Sequence, residues 1–238
     1  MRKSAFVALA LCLAPFAASA EAPVPKPSFD CAKAGTVVER TLCSNFELAA
    51  LDSTLAARYS HVRKHAEYTK DDIRNAQRAW VVDRNKCNSV TGTEDRHACI
   101  GSAYITRLIE LELDHSSYLP AMPEAANPQY CANEASTYGM NSCLGTYSTW
   151  TETAVQTEAN KLRAHWQEMA QEMPDTFNRS LTTLDDTLRA FPSWQSTRCG
   201  LDAQMMAGGT GESTMYIGCA INEAEDLLKT IVQLRYGQ

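Results

Sequence analysis

Cysteines at positions 31, 43, 87, 99, 131, 143, 199 and 219 fall into two sets of four. Their gaps are 12, 44 and 12 residues in the first set and 12, 56 and 20 in the second. Each set brackets one order of features: a cysteine pair, a long helical stretch, a tryptophan shortly before the third cysteine, and a final helix. Trp80 precedes Cys87 and Trp194 precedes Cys199. Duplication accounts for this order better than coincidence does. An even number of cysteines in an exported chain points to disulfides, because the compartment is oxidising. Each set of four allows three pairings. The local one ranks first because its loops are short: Cys31–Cys43, Cys87–Cys99, Cys131–Cys143 and Cys199–Cys219. Each closure contributes on the order of 3 kcal/mol, which matters for a small helical unit whose core alone is marginal.

Export is read from the first twenty residues. Arg2 and Lys3 precede the apolar stretch SAFVALALCLAPFA, and Ala18-Ser19-Ala20 offers a small-residue cleavage site. That order describes a secretory signal peptide over residues 1–20, too short to span a bilayer. Cys12 follows Leu11, whereas a lipid-modified cysteine follows a small residue, so export as a soluble periplasmic or secreted protein is expected. Of 22 basic and 28 acidic residues, removal of Arg2 and Lys3 leaves 20 against 28, a net charge of −8. Such a surface repels nucleic acid and attracts cationic partners. No second apolar run reaches spanning length, so no membrane insertion is expected. PVPKP lies in a Pro-rich tether over residues 21–28, and SSYLPAMPEAANP, residues 116–128, is a linker with three prolines.

Helical periodicity dominates what remains. Leu48, Leu51, Leu55, Tyr59 and Val62 lie on one face of a first helix, with Ser44 and Glu47 at capping-box spacing before it. Thr69 and Asp72 open a second, whose inward face carries Ile73, Ala76, Trp80 and Cys87. Ile100, Tyr104, Leu108 and Leu111 mark a third. The second copy follows the same plan. Tyr147, Trp150, Ala154, Leu162, Trp166 and Met169 lie on a long helix; Phe177, Leu181, Leu184, Leu188 and Phe191 lie on one that Pro192 ends; Tyr216, Leu227, Ile231 and Leu234 lie on the last. The expected fold is all-α: two tandem disulfide-pinned units, residues 29–115 and 129–238, each an antiparallel helical hairpin or three-helix bundle.

The pattern DCAKAGTVVERTLCSNFELAALDSTLAARY, followed by AQRAWVVDRNKC and a later cysteine, resembles the lysozyme inhibitor LprI N-terminal domain family. The residues that carry the resemblance are Glu39, Asp52, Tyr59, Gln77, Trp80 and Arg84, with Leu48, Leu51 and the four cysteines. The match covers residues 29–111. The second copy is looser. It keeps its cysteines, Tyr147, Leu184, Trp194, Arg198 and a GGTGE loop at 208–212, but it lacks an Asp52 equivalent and its Trp-to-Cys distance is two residues shorter. The resemblance implies an exported helical domain with a protein partner, lysozyme in the founding member. The alternative is an interaction, immunity or envelope-stress module of the periplasm without lysozyme specificity.

Glu39, Asp52, Gln77 and Arg84 are the polar members of that pattern. They read first as a hydrogen-bonded network that seats Trp80, since buried charges need partners, and second as a pocket for a ligand or partner. His61 and His65 are one helical turn apart but have no third ligand in sequence, and the twelve-residue cysteine gaps are unlike zinc knuckles. No nucleophile–base pattern stands out, so no catalytic residue, metal or cofactor is assigned. GGTGE has no Lys-Ser/Thr after it and is no phosphate loop; it is a connection, or a protrusion that enters a partner's cleft.

Overall fold

A computed structural model describes residues 25–65, 70–115 and 129–236. The signal peptide, the start of the tether, Thr69 and the 116–128 linker lie outside the described residues. Among the described residues there are seven α-helices and short 3-10 turns, and no strand. The helices are α1 (Val37–Ser44), α2 (Phe46–His65), α3 (Lys70–Arg84), α4 (Thr93–His115), α5 (Thr137–Met169), α6 (Pro174–Ala203) and α7 (Glu212–Tyr236).

The segment that leads into the first long helix is itself helical. Thr36 caps α1 and forms a reciprocal capping box with Glu39, which satisfies two otherwise orphaned amides. The box expected at Ser44 and Glu47 is therefore displaced. Ser44 closes α1 and donates its hydroxyl to the Thr41 carbonyl, while the Asn45 side chain accepts from the Leu48 amide at 2.8 Å and starts α2.

Cross-contacts fix the helix directions. Asp52 meets Tyr104 and Arg58 feels Glu112, so α2 and α4 run the same way. Trp80 meets Ala103 and Gln77 meets Arg107, so α3 runs against them. In the second half Asn141 meets Thr214, Tyr147 meets Glu225 and Glu158 meets Arg235, so α5 and α7 are parallel. Arg163 meets Asp185, and Thr149 to Gln156 share a groove with Leu188 to Gln195, so α6 runs antiparallel to α5. Gly101 lies against Trp150, and Arg235 spans Glu110 and Glu158, so α4 and α5 are parallel too.

Four helix starts thus share one pole, and all four disulfides lie there: Cys31–Cys43, Cys87–Cys99, Cys131–Cys143 and Cys199–Cys219. The Val38 amide donates to Asn88 Oδ1 across the first two bridges. Phe46 meets the edge of Tyr130 at 5.6 Å between centroids, tying the first half's end to the second's.

The two copies do not fold around separate cores. One buried cluster takes Leu42, Leu48, Leu51 and Leu55 from the first half, Tyr147, Trp150, Ala154 and Leu162 from α5, and Ile221, Leu228 and Ile231 from α7. Helix α4 runs through its middle and is buried nearly all round from Ile100 to Leu111, as expected of a helix with neighbours on every side. Val62 and Ile73 form a small satellite cluster capped by Tyr59.

Several expected faces are corrected. On α3 only Ile73 and Arg84 are buried; Ala76 is exposed and Trp80 half-buried, because α3 is an outer helix. Cys87 sits in a 3-10 turn, Asn85–Ser89, not in α3. Pro192 does not end α6, which continues to Ala203. An interior proline costs about 3 kcal/mol; the turns beyond it are held by Gln195, whose amide donates to the Ala220 carbonyl at 2.8 Å, and by the Cys199–Cys219 bridge. Trp194 is 51% exposed, and Tyr216 and Leu234 also face solvent.

Candidate functional site

Asp52, Trp80 and Arg84 meet around Tyr104. The Tyr104 hydroxyl donates to Asp52 Oδ1 at 2.6 Å and accepts from Arg84 Nη1 at 3.0 Å. Asp52 Oδ2 accepts the Ser28 amide at 2.6 Å, which docks the end of the tether. Trp80 stands edge-on to Tyr104, 5.0 Å between centroids, with the Arg84 guanidinium 5.3 Å from its own centroid. Its indole N–H donates to the Ala103 carbonyl at 3.0 Å. Asp52, Arg84 and Tyr104 are all buried. Burial, then the Asp52 charge, push the Tyr104 hydroxyl far above the usual phenol range, so it remains a donor.

The other pattern residues lie apart from this centre. Glu39 is spent on the amides of Gly35 and Thr36, and those backbone bonds hold its carboxyl below the usual range, with help from Arg84. Tyr59 packs between the main core and the satellite cluster. Gln77 accepts from Arg107 Nε at 3.1 Å. His61 and His65 have ring centroids 4.4 Å apart, and no group of three metal-ligating side chains occurs among the described residues.

Arg107 opens a second constellation, between the copies. It pairs with Glu110 at 3.0 Å. Arg235, near the end of α7, reaches both Glu110, at 2.7 Å, and Glu158. Lys161 joins Glu158 at 2.7 Å, and the Tyr236 hydroxyl donates to Glu110 at 2.8 Å. Burial opposes the Arg235 charge, but Glu158, Tyr236 and Glu110 raise its pKa overall. These groups line a groove of about 660 Å³ that Trp80 and Arg84 also reach. A third set centres on buried Tyr147, Arg58 and Glu225, with Lys229 and Glu112 at its half-buried edge. The Tyr147 hydroxyl donates to Glu225 at 3.0 Å, Lys229 lies 3.6 Å from Glu112, and Arg58 feels Glu112, Tyr147 and Glu225. Burial pushes the Glu225 carboxyl up to about 7 against the pull of Tyr147 and Lys229. Burial likewise lowers the pKa of Arg58.

The second half has no copy of the Tyr104 centre. Five residues after Cys99 stands Tyr104; five after Cys219 stands Ala224. Trp194 leans on Phe191 at the surface, and Arg198 pairs with Asp202 and Glu223 in the open.

The family model described as lysozyme inhibitor LprI matches residues 30–112 and again 131–230. The chain belongs to the LprI family. Lipoproteins LprI of Mycobacterium bovis and Mycobacterium tuberculosis are each 30% identical over 105 residues, 44% of this chain and 51% of theirs. The chain therefore spans about half the length of these curated relatives. No solved structure matches it. Two LprI matches in one chain agree with the two-copy plan. The disulfides fit an extracellular or periplasmic place, and among the described residues no helix is long and apolar enough to cross a membrane.

In this LprI chain the sequence pattern led to Asp52, Trp80 and Arg84 but missed Arg58, Arg107, Glu110, Glu158, Glu225 and Arg235. A signal was present for four of them, as charges on apolar stripes. Arg58 sits between Leu55 and Val62, Arg107 between Tyr104 and Leu111, Glu158 between Ala154 and Leu162, and Glu225 between Ile221 and Leu228. A charge at such a position is buried on helical geometry alone and demands a partner.

Proposed function

We propose that this LprI-family protein is an exported binding protein that inhibits a muramidase. The match of the family model to both halves carries this reading. It is supported by the acidic balance, 28 acidic against 22 basic residues in the whole chain. Animal-type lysozymes are strongly cationic and cleave through two carboxylates in a cleft, so charge would draw an acidic inhibitor toward them. The polar groups of the Tyr104 centre are used up on one another, which suits a fold lock better than a reaction centre. The purified protein, oxidised and lacking residues 1–20, should slow cell-wall lysis by an animal-type lysozyme, with weaker inhibition as salt rises from low to physiological strength. Undiminished lysis at high molar excess would refute the reading and favour an envelope interaction module with another partner.

A further inference from the structure

The two copies differ most where their last disulfide closes a hairpin. Cys87 and Cys99 are 12 residues apart, Cys199 and Cys219 are 20 apart. The shorter hairpin has a polar tip folded back on itself, with Arg96 Nη2 and Nε donating to the Val90 carbonyl at 2.6 and 3.0 Å. The longer one spends its extra length differently. Leu201 is 66% exposed, Met205 71% and Met206 46%, and residues 203–211, AQMMAGGTG, carry no charge.

This knuckle is ordered, not slack. The Ala207 amide donates to Gln204 and the Gly209 amide to Met206, Glu212 turns back to accept the Gly208 amide, and Gly208 takes a φ of 77°, which favours glycine. A Cβ on Gly211 would lie 2.8 Å from the Met206 methyl, so chain and side chain are closely fitted. The Cys199–Cys219 bridge closes its base. An exposed apolar cluster on a preorganised protrusion has the composition of a partner-binding element, and methionine adapts to a partner's contours.

We infer that the 199–219 knuckle, led by Leu201, Met205 and Met206, is the element that enters the muramidase cleft. The inference rests on the muramidase reading. A cleft can be blocked only by something convex, whereas the groove between the copies and the one between α5 and α6 are concave. Charge agrees at the tip itself: residues 203–211 carry none, while the flanking Asp202 is paired with Arg198 and Glu212 accepts the Gly208 amide, and the acidic remainder of the chain faces the enzyme's basic surroundings.

The test compares wild type, Leu201→Asp, Met205→Asp and Val82→Asp in the full oxidised protein, by inhibition of lysozyme-driven cell-wall lysis and by sedimentation. Val82 is 66% exposed on α3 in the first half and serves as the remote control. Far-ultraviolet circular dichroism checks that each variant is folded. The knuckle variants should inhibit at least about tenfold less well, as expected of central contact residues, and Val82→Asp should match wild type. Bound lysozyme should also shield Met205 and Met206 from peroxide oxidation. Equal inhibition by all four proteins overturns the knuckle and leaves the muramidase reading standing. Wild type without inhibition overturns both. If the knuckle substitutions only dissolve a dimer and inhibition persists, the knuckle is a contact between copies and the inference fails.

Discussion

At Tyr104 one hydroxyl accepts from Arg84 and donates to Asp52, so two buried charges are satisfied through a neutral group between them. Tyr104→Phe removes the bridge and leaves both ends inside. The expected loss is about 2–4 kcal/mol, read as a lower denaturation midpoint with an unchanged slope. Glu225 gives a pH signature. Its folded pKa of about 7 lies above the ordinary 4.5, so the folded state holds the proton more tightly than the unfolded one. Its contribution is therefore fullest below about pH 4.5 and is lost as pH rises to about 7, on the order of 3 kcal/mol in all. Glu225→Gln keeps an acceptor for Tyr147 and should flatten that part of the stability–pH curve, measured by urea unfolding between pH 4.5 and 8. Residues of this kind were half legible. Asp52, Trp80 and Arg84 stand out because they belong to the pattern that resembles the LprI family, and Asp52 also shares a helix face with Leu48 and Leu55. Tyr104 does not, because a tyrosine on an apolar stripe reads as plain core until its hydroxyl is seen to have partners.

Among the elements, the central helix α4 depends on a missing side chain. A Cβ on Gly101 would lie 2.3 Å from Trp150 Cδ2, far closer than van der Waals contact with the indole allows. Gly101→Ala should push α4 from α5 and cost about 1–3 kcal/mol through overpacking, and Trp150→Leu in the same chain should recover part of it; thermal unfolding of the single and double variants decides. Helix existence and type were legible from 3.6-residue periodicity. Ends were harder. The break between α1 and α2 hangs on the Asn45 side chain, while α5, at the matching place in the second copy, runs on unbroken. Pro192 misled because a local stop signal was outweighed by two anchors to α7 that lie 20 and 25 residues further along the chain.

For the whole molecule the repeat in sequence is not a repeat of independent bodies. Helix α4 is covered by both halves, and Arg235 from the last helix supplies a partner to Glu110 in the first half and Glu158 in the second. Residues 29–115 produced alone should expose the α5-facing side of α4 and unfold at least about 10 °C below the full chain, or self-associate, in calorimetry and light scattering. Sequence spacing made the duplication plain, yet it could not report this merger, because an apolar face looks the same whether its neighbour is its own copy or the other.

Every sulfur bridge stands at the end where α2, α4, α5 and α7 begin. At the far end, where α4 and α7 finish against α5, the halves are joined by the carboxylates and arginines around Arg235 rather than by covalent links. Such a molecule is clamped like a closed hand at the wrist and free at the fingertips. Amide exchange should be slowest beside the bridges and quicken steadily toward Leu113 and Tyr236, and brine should loosen the tips long before a reductant is needed to open the grip.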